Sequence, residues 1–471
     1  MSFADLREFI AELDDLNEIR AVDGADWDLE IGTICELNYE KRGPALMFDN
    51  IKGYPKGYRV LTNGTETFER ALACLEFPTE MTMDDALEEF ERRIRTYRPV
   101  PPHEVSTGPV LENVLRGDDI DLWKFPTPRW HEGDGGRYLG TGCVVIMRDP
   151  DNGEINLGTY RVMVHDRNTA GIFIAMAHTG NIIARKYWAK GQSCPVAVAC
   201  GQDPMLLLGG SGRLTIGRRN EYELIGHFRG EPVDVIREEV TGLPIPATAE
   251  IVLAGEMPPR NDETRMEGPF GEFTGYYASG ARPEPVIHVK ALYHRNDPII
   301  LGVPPEKYRG STWHFGLPAS SSRDKEQLKR NGIEDVLDIW QAAWPGVTVV
   351  QIRQRYAGHA MKAAMGLVGD YTTRFIILVD EDINPRDPHE VFWALGTRCD
   401  PATAIQTISG LRSTPLDPIM PPEKKERGDL TSSCAIINAC KPYEWKDEFP
   451  ITNIASPEQR QAVLAKWKEL F

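Results

Sequence analysis

Positive charge is scarce in this sequence of 471 residues, which has 53 Lys and Arg against 70 Asp and Glu and a formal net charge of -17. A surface of that sign repels phosphate backbones, so we expect no nucleic-acid partner. An anionic substrate would have to be attracted by cations placed locally at its site. The composition therefore excludes one large class of partner and directs attention to local clusters of basic side chains.

Long apolar runs are also missing, since no stretch approaches the roughly 20 residues that a membrane helix requires. Residues 1–7 lack the basic-then-apolar order of a signal peptide. The eight cysteines are scattered and contain no CxxC pair, so we expect reduced and mostly buried thiols. These absences predict a soluble, cytoplasmic protein without a membrane segment.

Familiar catalytic and nucleotide-binding patterns are absent too. The sequence has no HExxH-type cluster, which weakens the case for a metal-dependent hydrolase. The run Gly209-Gly210-Ser211-Gly212-Arg213 resembles a phosphate-binding loop, since glycines let backbone N–H groups approach an anion. It matches neither GxGxxG nor a P-loop, so ordinary nucleotide binding is not favoured and a hairpin loop is the simpler interpretation.

The length and the order of helix and strand signals predict a mixed α/β protein of about three domains. Residues 1–112 alternate helix and strand signals and include a stiff proline-rich segment near their end. Residues 113–305 contain many short β-type runs between Gly, Asp and Pro turns, which is typical of a barrel or a sandwich. Residues 306–455 return to helices, with a buried strand at 375–379 that leads into acidic residues, as in an α/β domain.

The last segment, 456–471, is predicted to be a separate helix. Ser456 suits the N-cap position and Pro457 suits the first turn. An apolar stripe follows at helical spacing, formed by Val463, Leu464, Trp467, Leu470 and Phe471. Two interpretations stay open: the helix docks on the core of its own chain, or it docks on a neighbouring subunit.

The densest group of chemically active side chains lies at 267–277. Three glycines and a proline force a tight backbone there, so Glu267 and Glu272 should stand at a turn and not on a regular helix. Two carboxyl groups flanked by aromatic residues can have environments that separate their pKa values, as acid–base catalysis requires. A turn with two solvated acids is the equally simple alternative.

Other candidates carry weaker signals. Asn156, His178 and Glu221 could bind a divalent cation through amide, imidazole and carboxylate groups, although dispersed triples of this kind are common. Lys362, on a predicted helix, is either a phosphate partner or a surface lysine. Three consecutive bulky residues suggest an aromatic guest, although core packing explains them equally well: Trp313, His314 and Phe315.

Taken together, these pieces resemble the UbiD family of reversible decarboxylases over about residues 10–435. The most specific stretches are EGPFGE at 267–272 and DINPRD at 382–387, and the order of the side chains that precede them also matches: Asn156, Arg161, His178 and Glu221. Further matching runs lie at 126–130, 229–233 and 397–401. The resemblance implies an N-terminal α/β region, a central split β-barrel of the flavin-reductase type and a C-terminal α/β domain. It also implies a terminal helix that crosses to a partner subunit.

The resemblance further implies a bound prenylated FMN, made by a separate flavin prenyltransferase, with its phosphate held through Mn2+ (or Mg2+) and K+. The residues that match the family's cofactor contacts are Asn156, Thr159, Tyr160, Arg161, Ala177, His178, Ser211, Arg213, Glu221 and Lys362. Within that set, Asn156, His178 and Glu221 match the divalent metal site. The potassium site corresponds to Ser211, Arg213 and Glu221.

The chemistry implied by the resemblance is non-oxidative, reversible decarboxylation of an aromatic or α,β-unsaturated acid, with release of CO2, through a covalent adduct with the prenylated flavin. Arg161, Glu267 and Glu272 match the catalytic network, and Glu272 is the expected proton donor. Loss of CO2 leaves a carbanion whose charge no side chain can accept, so the reaction requires a cofactor as an electron sink. We expect at least a homodimer. The alternatives are a non-catalytic flavin-binding subunit of a multi-subunit carboxylase and, with less support, a metal-dependent hydrolase.

Overall fold

The computed structural model describes residues 3–212, 220–307, 313–341, 346–369 and 373–470, with the backbone alone for 313–320. The predicted mixed α/β fold is confirmed, and the central split β-barrel that was expected takes the form of a curled half-barrel sheet. Among the described residues, no helix combines the length and the apolar character that crossing a membrane would take.

The N-terminal region begins with helix α1 (Leu6–Asp15), which is capped by Asp5, whose carboxylate accepts the Glu8 N–H at 2.9 Å. The apolar face of α1 is buried in the core. The remaining elements of this region are β1 (Ile19–Asp23), α2 (Glu30–Glu40), β2 (Ala45–Asp49), β3 (Arg59–Thr62), α3 (Phe68–Cys74) and α4 (Met83–Arg95).

A curled half-barrel sheet occupies the centre of the chain, in the order β6-β9-β10-β17-β14-β11-β7-β8, with β5 added against β17. Each pair of neighbouring strands in it is antiparallel. The central elements are β4 (His103–Glu104), β5 (Asn113–Arg116), β6 (Arg137–Gly140), β7 (Val144–Arg148), β8 (Ile155–Gly158), β9 (Val162–Val164), β10 (Thr169–Ile172), α5 (Thr179–Trp188), β11 (Cys194–Cys200), α6 (Pro204–Gly210), α7 (Glu221–Arg229), β12 (Asp234–Arg237), β13 (Pro244–Pro246), β14 (Ile251–Met257), β15 (Arg265–Glu267), β16 (Arg282–Glu284), β17 (Val286–His294) and β18 (Ile299–Leu301).

The central sheet is covered on both faces, which is why its inner strands are continuously apolar. In β7, Val144 and Ile146 enter one hydrophobic cluster, whereas Val145 and Met147 enter the other. Helices α1, α3, α6 and α7 contribute to the first cluster, and α2 and α5 contribute to the second. The two clusters fix the sheet between helices and leave its loops free to carry the site.

The N-terminal region and the central sheet are interlocked. Strand β18 lies within the range predicted for the barrel, yet it pairs in parallel with β3 and completes a sheet in the order β1-β2-β3-β18. Two small assemblies accompany the central sheet: a sheet in the order β13-β12-β4 and the antiparallel ladder of β15 and β16. The chain therefore returns to its N-terminal sheet before it enters the C-terminal domain.

The C-terminal domain is built on a sheet in the order β19-β20-β21-β23-β22, in which β20, β21 and β23 are parallel. The buried strand predicted at 375–379 is confirmed as β21, and the acidic residues after it pair with the buried Arg398. The elements are α8 (Trp313–Arg330), β19 (Val336–Gln341), β20 (Val347–Ile352), α9 (His359–Met365), β21 (Phe375–Asp380), α10 (Pro388–Arg398), α11 (Pro401–Ala404), β22 (Ile405–Arg412), α12 (Pro422–Glu426), β23 (Thr431–Asn438) and α13 (Pro457–Lys466).

The terminal helix α13 begins as predicted, because the Ser456 side chain accepts the Gln459 N–H at 3.2 Å and Pro457 follows. None of its residues is buried in the single chain. Helix α13 ends at Lys466, and the apolar residues of the predicted stripe are 41% (Val463), 50% (Leu464), 52% (Trp467) and 71% (Leu470) exposed, while Phe471 lies outside the described residues. The interpretation of a helix docked on its own core is therefore wrong.

Candidate functional site

The two glutamates of the 267–277 run stand at a tight turn, as predicted. Glu267 is the last residue of β15, and Gly268 follows with a φ of 82°, a conformation that favours glycine. The Glu272 N–H donates to Tyr276 O at 2.9 Å, and the Gly275 N–H donates back to Glu272 O at 2.8 Å. The turn is closely packed, because a Cβ added at Gly135 would lie 2.0 Å from Gly268 O.

Arg161 joins both glutamates into one buried network. It lies in the short link between β8 and β9, and its guanidinium binds Glu267 with two parallel bonds, Nε to Oε1 at 2.8 Å and Nη2 to Oε2 at 2.7 Å. Its Nη1 donates to Glu272 Oε1. Arg161 is 9% exposed, Glu267 0% and Glu272 6%, so these carboxyl groups are not the solvated acids of the alternative interpretation.

Burial and pairing shift the pKa values of Glu272 and Arg161. Burial raises the pKa of Glu272, and the neighbouring Arg161 charge offsets this only in part. Burial opposes the charge of Arg161, but pairing with Glu267 and Glu272 outweighs it and raises the pKa of the guanidinium. Glu272 is therefore a carboxyl group that retains its proton at higher pH than an exposed glutamate, as a general acid must.

Aromatic rings enclose the network. The Arg161 guanidinium lies 4.5 Å from the centroid of the Phe173 ring and 5.3 Å from that of Phe270. The Tyr138 ring is 4.2 Å from the Phe270 ring, and its hydroxyl donates to Glu267 Oε1 at 3.1 Å. These rings exclude water from one side of the carboxyl groups, and the low dielectric that results strengthens the charge interactions between them.

The three predicted metal ligands lie on elements that meet around Tyr160. Asn156 is in β8, His178 immediately precedes α5 and Glu221 begins α7; both helices contact β8. The His178 and Tyr160 ring centroids are 5.7 Å apart, and the Asn156 side chain lies beside the Tyr160 hydroxyl. Glu221 Oε2 accepts the N–H of Leu157, the neighbour of Asn156, at 3.1 Å.

The chemistry of this group fits a divalent cation. Burial raises the pKa of Glu221 to about 7, and desolvation lowers the pKa of His178. The Glu221 carboxylate, the His178 imidazole and the amide oxygen of Asn156 are the kinds of group that bind such a cation. In the part of the chain that the structure describes, no set of three or more His, Cys, Asp or Glu is arranged to hold a metal. A cation bound here would therefore need the amide oxygen of Asn156 in addition to His178 and Glu221.

Other predicted contacts are placed differently. Gly209 and Gly210 end helix α6 and do not form a hairpin, and the Ser211 hydroxyl donates to Leu208 O at 2.7 Å. Lys362 is exposed on α9, which packs against β21 and β23. The remaining positions are the half-buried Thr159, the exposed Ala177 and, outside the described residues or side chains, Arg213, Trp313, His314 and Phe315.

Sequence reasoning missed residues that support the turn at 267–277, which we call the catalytic turn. Asp134 Oδ1 accepts the Gly271 N–H at 3.3 Å and the Tyr277 hydroxyl at 3.2 Å, and Oδ2 accepts the His131 N–H at 3.0 Å. Asp134 is buried, and Gly135 after it accepts the close approach of the turn. The run of His131, Asp134, Gly135 and Gly136 was a signal for this support, because paired glycines after an acid indicate a close backbone approach.

Comparisons with known proteins cover nearly the whole chain. The N-terminal, Rift-related and C-terminal domains of 3-octaprenyl-4-hydroxybenzoate carboxy-lyase match residues 10–90, 103–308 and 318–439. The chain is 32% identical over 434 residues to a phenolic acid decarboxylase of Bacillus subtilis, covering 89% of both chains. It is also 32% identical over 474 residues to a pyrrole-2-carboxylic acid decarboxylase of Pseudomonas aeruginosa, covering 95% of this chain and 93% of that one.

Solved structures agree with this assignment. The vanillic acid decarboxylase of Sedimentibacter hydroxybenzoicus, in an open form, superposes with a TM-score of 0.84 at 28% identity and covers 100% of this chain and 99% of its own. An evolved dimeric form of the UbiD-class enzyme HmfF from Pelotomaculum thermopropionicum, in complex with prFMN, gives 0.82 at 26% identity over 99% of this chain and 100% of its own. The domain models, the relatives and the fold agree, and the chain belongs to the UbiD family of carboxy-lyases.

Proposed function

We propose that this carboxy-lyase catalyses the non-oxidative, reversible decarboxylation of an aromatic, heteroaromatic or α,β-unsaturated carboxylic acid, with prenylated FMN as its cofactor. The observation that carries the proposal is the buried network of Arg161, Glu267 and Glu272. Relatives that act on a phenolic acid and on pyrrole-2-carboxylic acid support the class of substrate.

Support for the cofactor comes from HmfF, which has been solved with prFMN, and from the fit of this chain's own residues. When bound, prenylated FMN would supply the electron sink that decarboxylation requires. Asn156, His178 and Glu221 would hold Mn2+ or Mg2+ and, through the metal, the phosphate of the flavin. Potassium binding by Ser211, Arg213 and Glu221, and supply of the cofactor by a flavin prenyltransferase, stay predictions.

Each member of the network has a distinct task in this proposal. Arg161 fixes both carboxyl groups, because its planar guanidinium sets the direction of the bonds to Glu267 and Glu272. Glu267 balances the Arg161 charge and is itself oriented by the Tyr138 hydroxyl. Glu272, whose pKa is raised by burial, delivers the proton to the carbon from which CO2 departs.

The test is turnover of a panel of acids by protein produced together with a flavin prenyltransferase. The panel contains benzoate, 4-hydroxybenzoate, 3,4-dihydroxybenzoate, pyrrole-2-carboxylate and cinnamate, and the products are separated by chromatography. We expect a bound flavin with a spectrum that differs from that of FMN, and CO2 release from at least one acid. A protein that carries the modified flavin but releases CO2 from none of these acids would favour the alternative function, a non-catalytic flavin-binding subunit of a multi-subunit carboxylase. The presence of Arg161, Glu267 and Glu272 together argues against that alternative.

The assembly is part of the same proposal. Helix α13 presents apolar side chains that its own chain leaves exposed, and residues 456–470 are exposed throughout. We propose that the segment 456–471 covers apolar surface of a second copy in a homodimer or larger homo-oligomer.

A further inference from the structure

We propose that Arg282 and Lys425 form a cationic entry site that binds the carboxylate of the incoming acid before it reaches the buried network. This inference rests on the proposed function and adds to it the residues that capture the substrate. The protein carries a net charge of -17 and its proposed substrate is an anion, so the protein as a whole repels the substrate. A buried site in such a protein needs unpaired positive charge close to its opening.

Arg161 does not supply that charge. Its guanidinium uses three of its five N–H donors within the network, two on the oxygens of Glu267 and one on Glu272. The carboxylate of Glu267 balances the positive charge of Arg161, so little net attraction is left for the carboxylate of a substrate. The cation that meets the substrate must therefore be a different residue.

The fold places Arg282 next to the network. In the ladder of β15 and β16, Arg282 is the direct cross-strand partner of Glu267, and directly opposed residues project from the same face. The Arg282 guanidinium lies 4.3 Å from the centroid of the Phe173 ring, which Arg161 also contacts at 4.5 Å. The Arg282 side chain is 31% exposed, whereas that of Arg161 is 7% exposed, so Arg282 lies on the solvent side of the network.

Lys425 reaches the same place from the C-terminal domain. It belongs to helix α12, and its Nζ donates to Ala278 O at 2.5 Å, in the segment that links β15 to β16. Lys425 interacts electrostatically with Asp417 first, and also with Glu272 and Arg282. The half-buried ammonium thus faces the catalytic turn, although it belongs to another domain.

The charges around these two residues leave a local positive excess. Glu284 is shared by two guanidinium groups, those of Arg282 at 2.6 Å and Arg260 at 3.1 Å, so one carboxylate faces two cations. The bond from Lys425 ends on a neutral carbonyl, and the nearby Asp417 is already paired with Arg374 at 2.6 Å. Among the described residues, Arg282 and Lys425 therefore contribute to a local excess of positive charge beside Glu272.

The test compares binding of an acid with binding of its neutral carboxamide to the holoenzyme, by titration calorimetry at low and high salt. The acid is the one that the wild-type enzyme decarboxylates in the panel above. Wild type should bind the acid better than the carboxamide, with an advantage that shrinks at high salt. Arg282→Gln and Lys425→Gln should each weaken acid binding roughly tenfold and leave carboxamide binding unchanged, since each removes one charge-assisted contact.

Matched controls separate this role from a structural one. Lys424→Gln removes a neighbouring ammonium that donates to Thr431, and it should bind the acid like wild type. Lys425→Arg and Arg282→Lys keep the charge and should retain most of the affinity, which guards against variants that fail to fold.

Three outcomes are decisive. Acid affinities for Arg282→Gln and Lys425→Gln equal to that of wild type would overturn the inference and leave the proposed function intact. Equal losses for acid and carboxamide would also overturn it, since they would indicate that the residues only position the catalytic turn. Failure of the wild-type holoenzyme to decarboxylate any acid would contradict the proposed function itself, and the inference with it.

Discussion

Replacing Glu272 by glutamine is the sharpest test of the catalytic network. Glu272 is 6% exposed, and its Oε1 accepts a bond from Arg161 Nη1, which a glutamine oxygen can also accept. The substitution preserves size and this contact, so it should leave folding and flavin binding intact. It removes the carboxyl group that we propose as the proton donor, whose pKa is raised by burial.

The size of the effect follows from that role. General acid catalysis is worth roughly 10²–10⁴-fold, which corresponds to about 2.7–5.5 kcal/mol in the activation barrier. We expect kcat of Glu272→Gln to fall by at least that lower factor, while the affinity for the acid changes little. Exchange of deuterium from solvent into the product should fall in parallel, because it uses the same proton transfer in reverse.

Glu66→Gln is the matched control, because Glu66 is also 6% exposed, burial raises its pKa to about 7 and Arg70 lies nearby. It lies outside the network, so turnover and exchange should stay at wild-type levels. Mass spectrometry of the product after incubation in deuterated buffer measures the exchange directly. Normal turnover with normal exchange in Glu272→Gln would refute the assignment, and Glu267 would become the first candidate donor.

Three further predictions address pH, metal and assembly. Because Glu272 donates only when protonated, kcat should fall as pH rises through its raised pKa, and a pH–rate profile with no alkaline fall would contradict the assignment. His178→Ala should reduce both metal and flavin content, measured by elemental analysis and absorption, whereas His288→Ala, which removes an imidazole paired with Glu263, should not. Deleting residues 456–471 should give monomers or aggregates in light scattering, and a truncated protein that stays a soluble dimer would exclude an intersubunit role for α13.

Much of the fold was predictable from local sequence because the covered sheets require apolar strands. The short β-type runs predicted within residues 113–305 include β7 and β11, and the strand predicted at 375–379 forms β21. The cap and apolar stripe likewise predicted α13. In each case the signal lies within a few residues, where side-chain periodicity and capping chemistry act directly.

Long-range pairing was not predictable in the same way. Strand β18 has the composition of any short buried strand, and nothing local indicates that it pairs with β3, about 240 residues earlier in the chain. The apolar sequence before His178 is typical of a strand that reaches this residue, but β10 ends at Ile172 and His178 precedes α5. The local sequence could not show that the strand ends early, since that depends on the partners available in the sheet.

The candidate site likewise contains residues that the local sequence identifies and residues that it does not. Glu267 and Glu272 lie in one turn, and the glycines and proline around them were enough to predict its shape. Arg282 and Lys425 gave no signal, because an arginine beside a glutamate and a lysine on a short charged helix look like ordinary surface residues.

What gives these two cations a role is the pairing of β15 with β16 and the contact of α12 with the loop at Ala278. The first contact joins residues 15 positions apart in sequence, and the second joins residues 147 positions apart. Catalytic chemistry that lies within one turn can be recognised from the sequence, whereas substrate capture here is shared by two domains. The contact from Lys425 also joins the C-terminal domain to the catalytic turn, so a movement of that domain would change the charge beside Glu272.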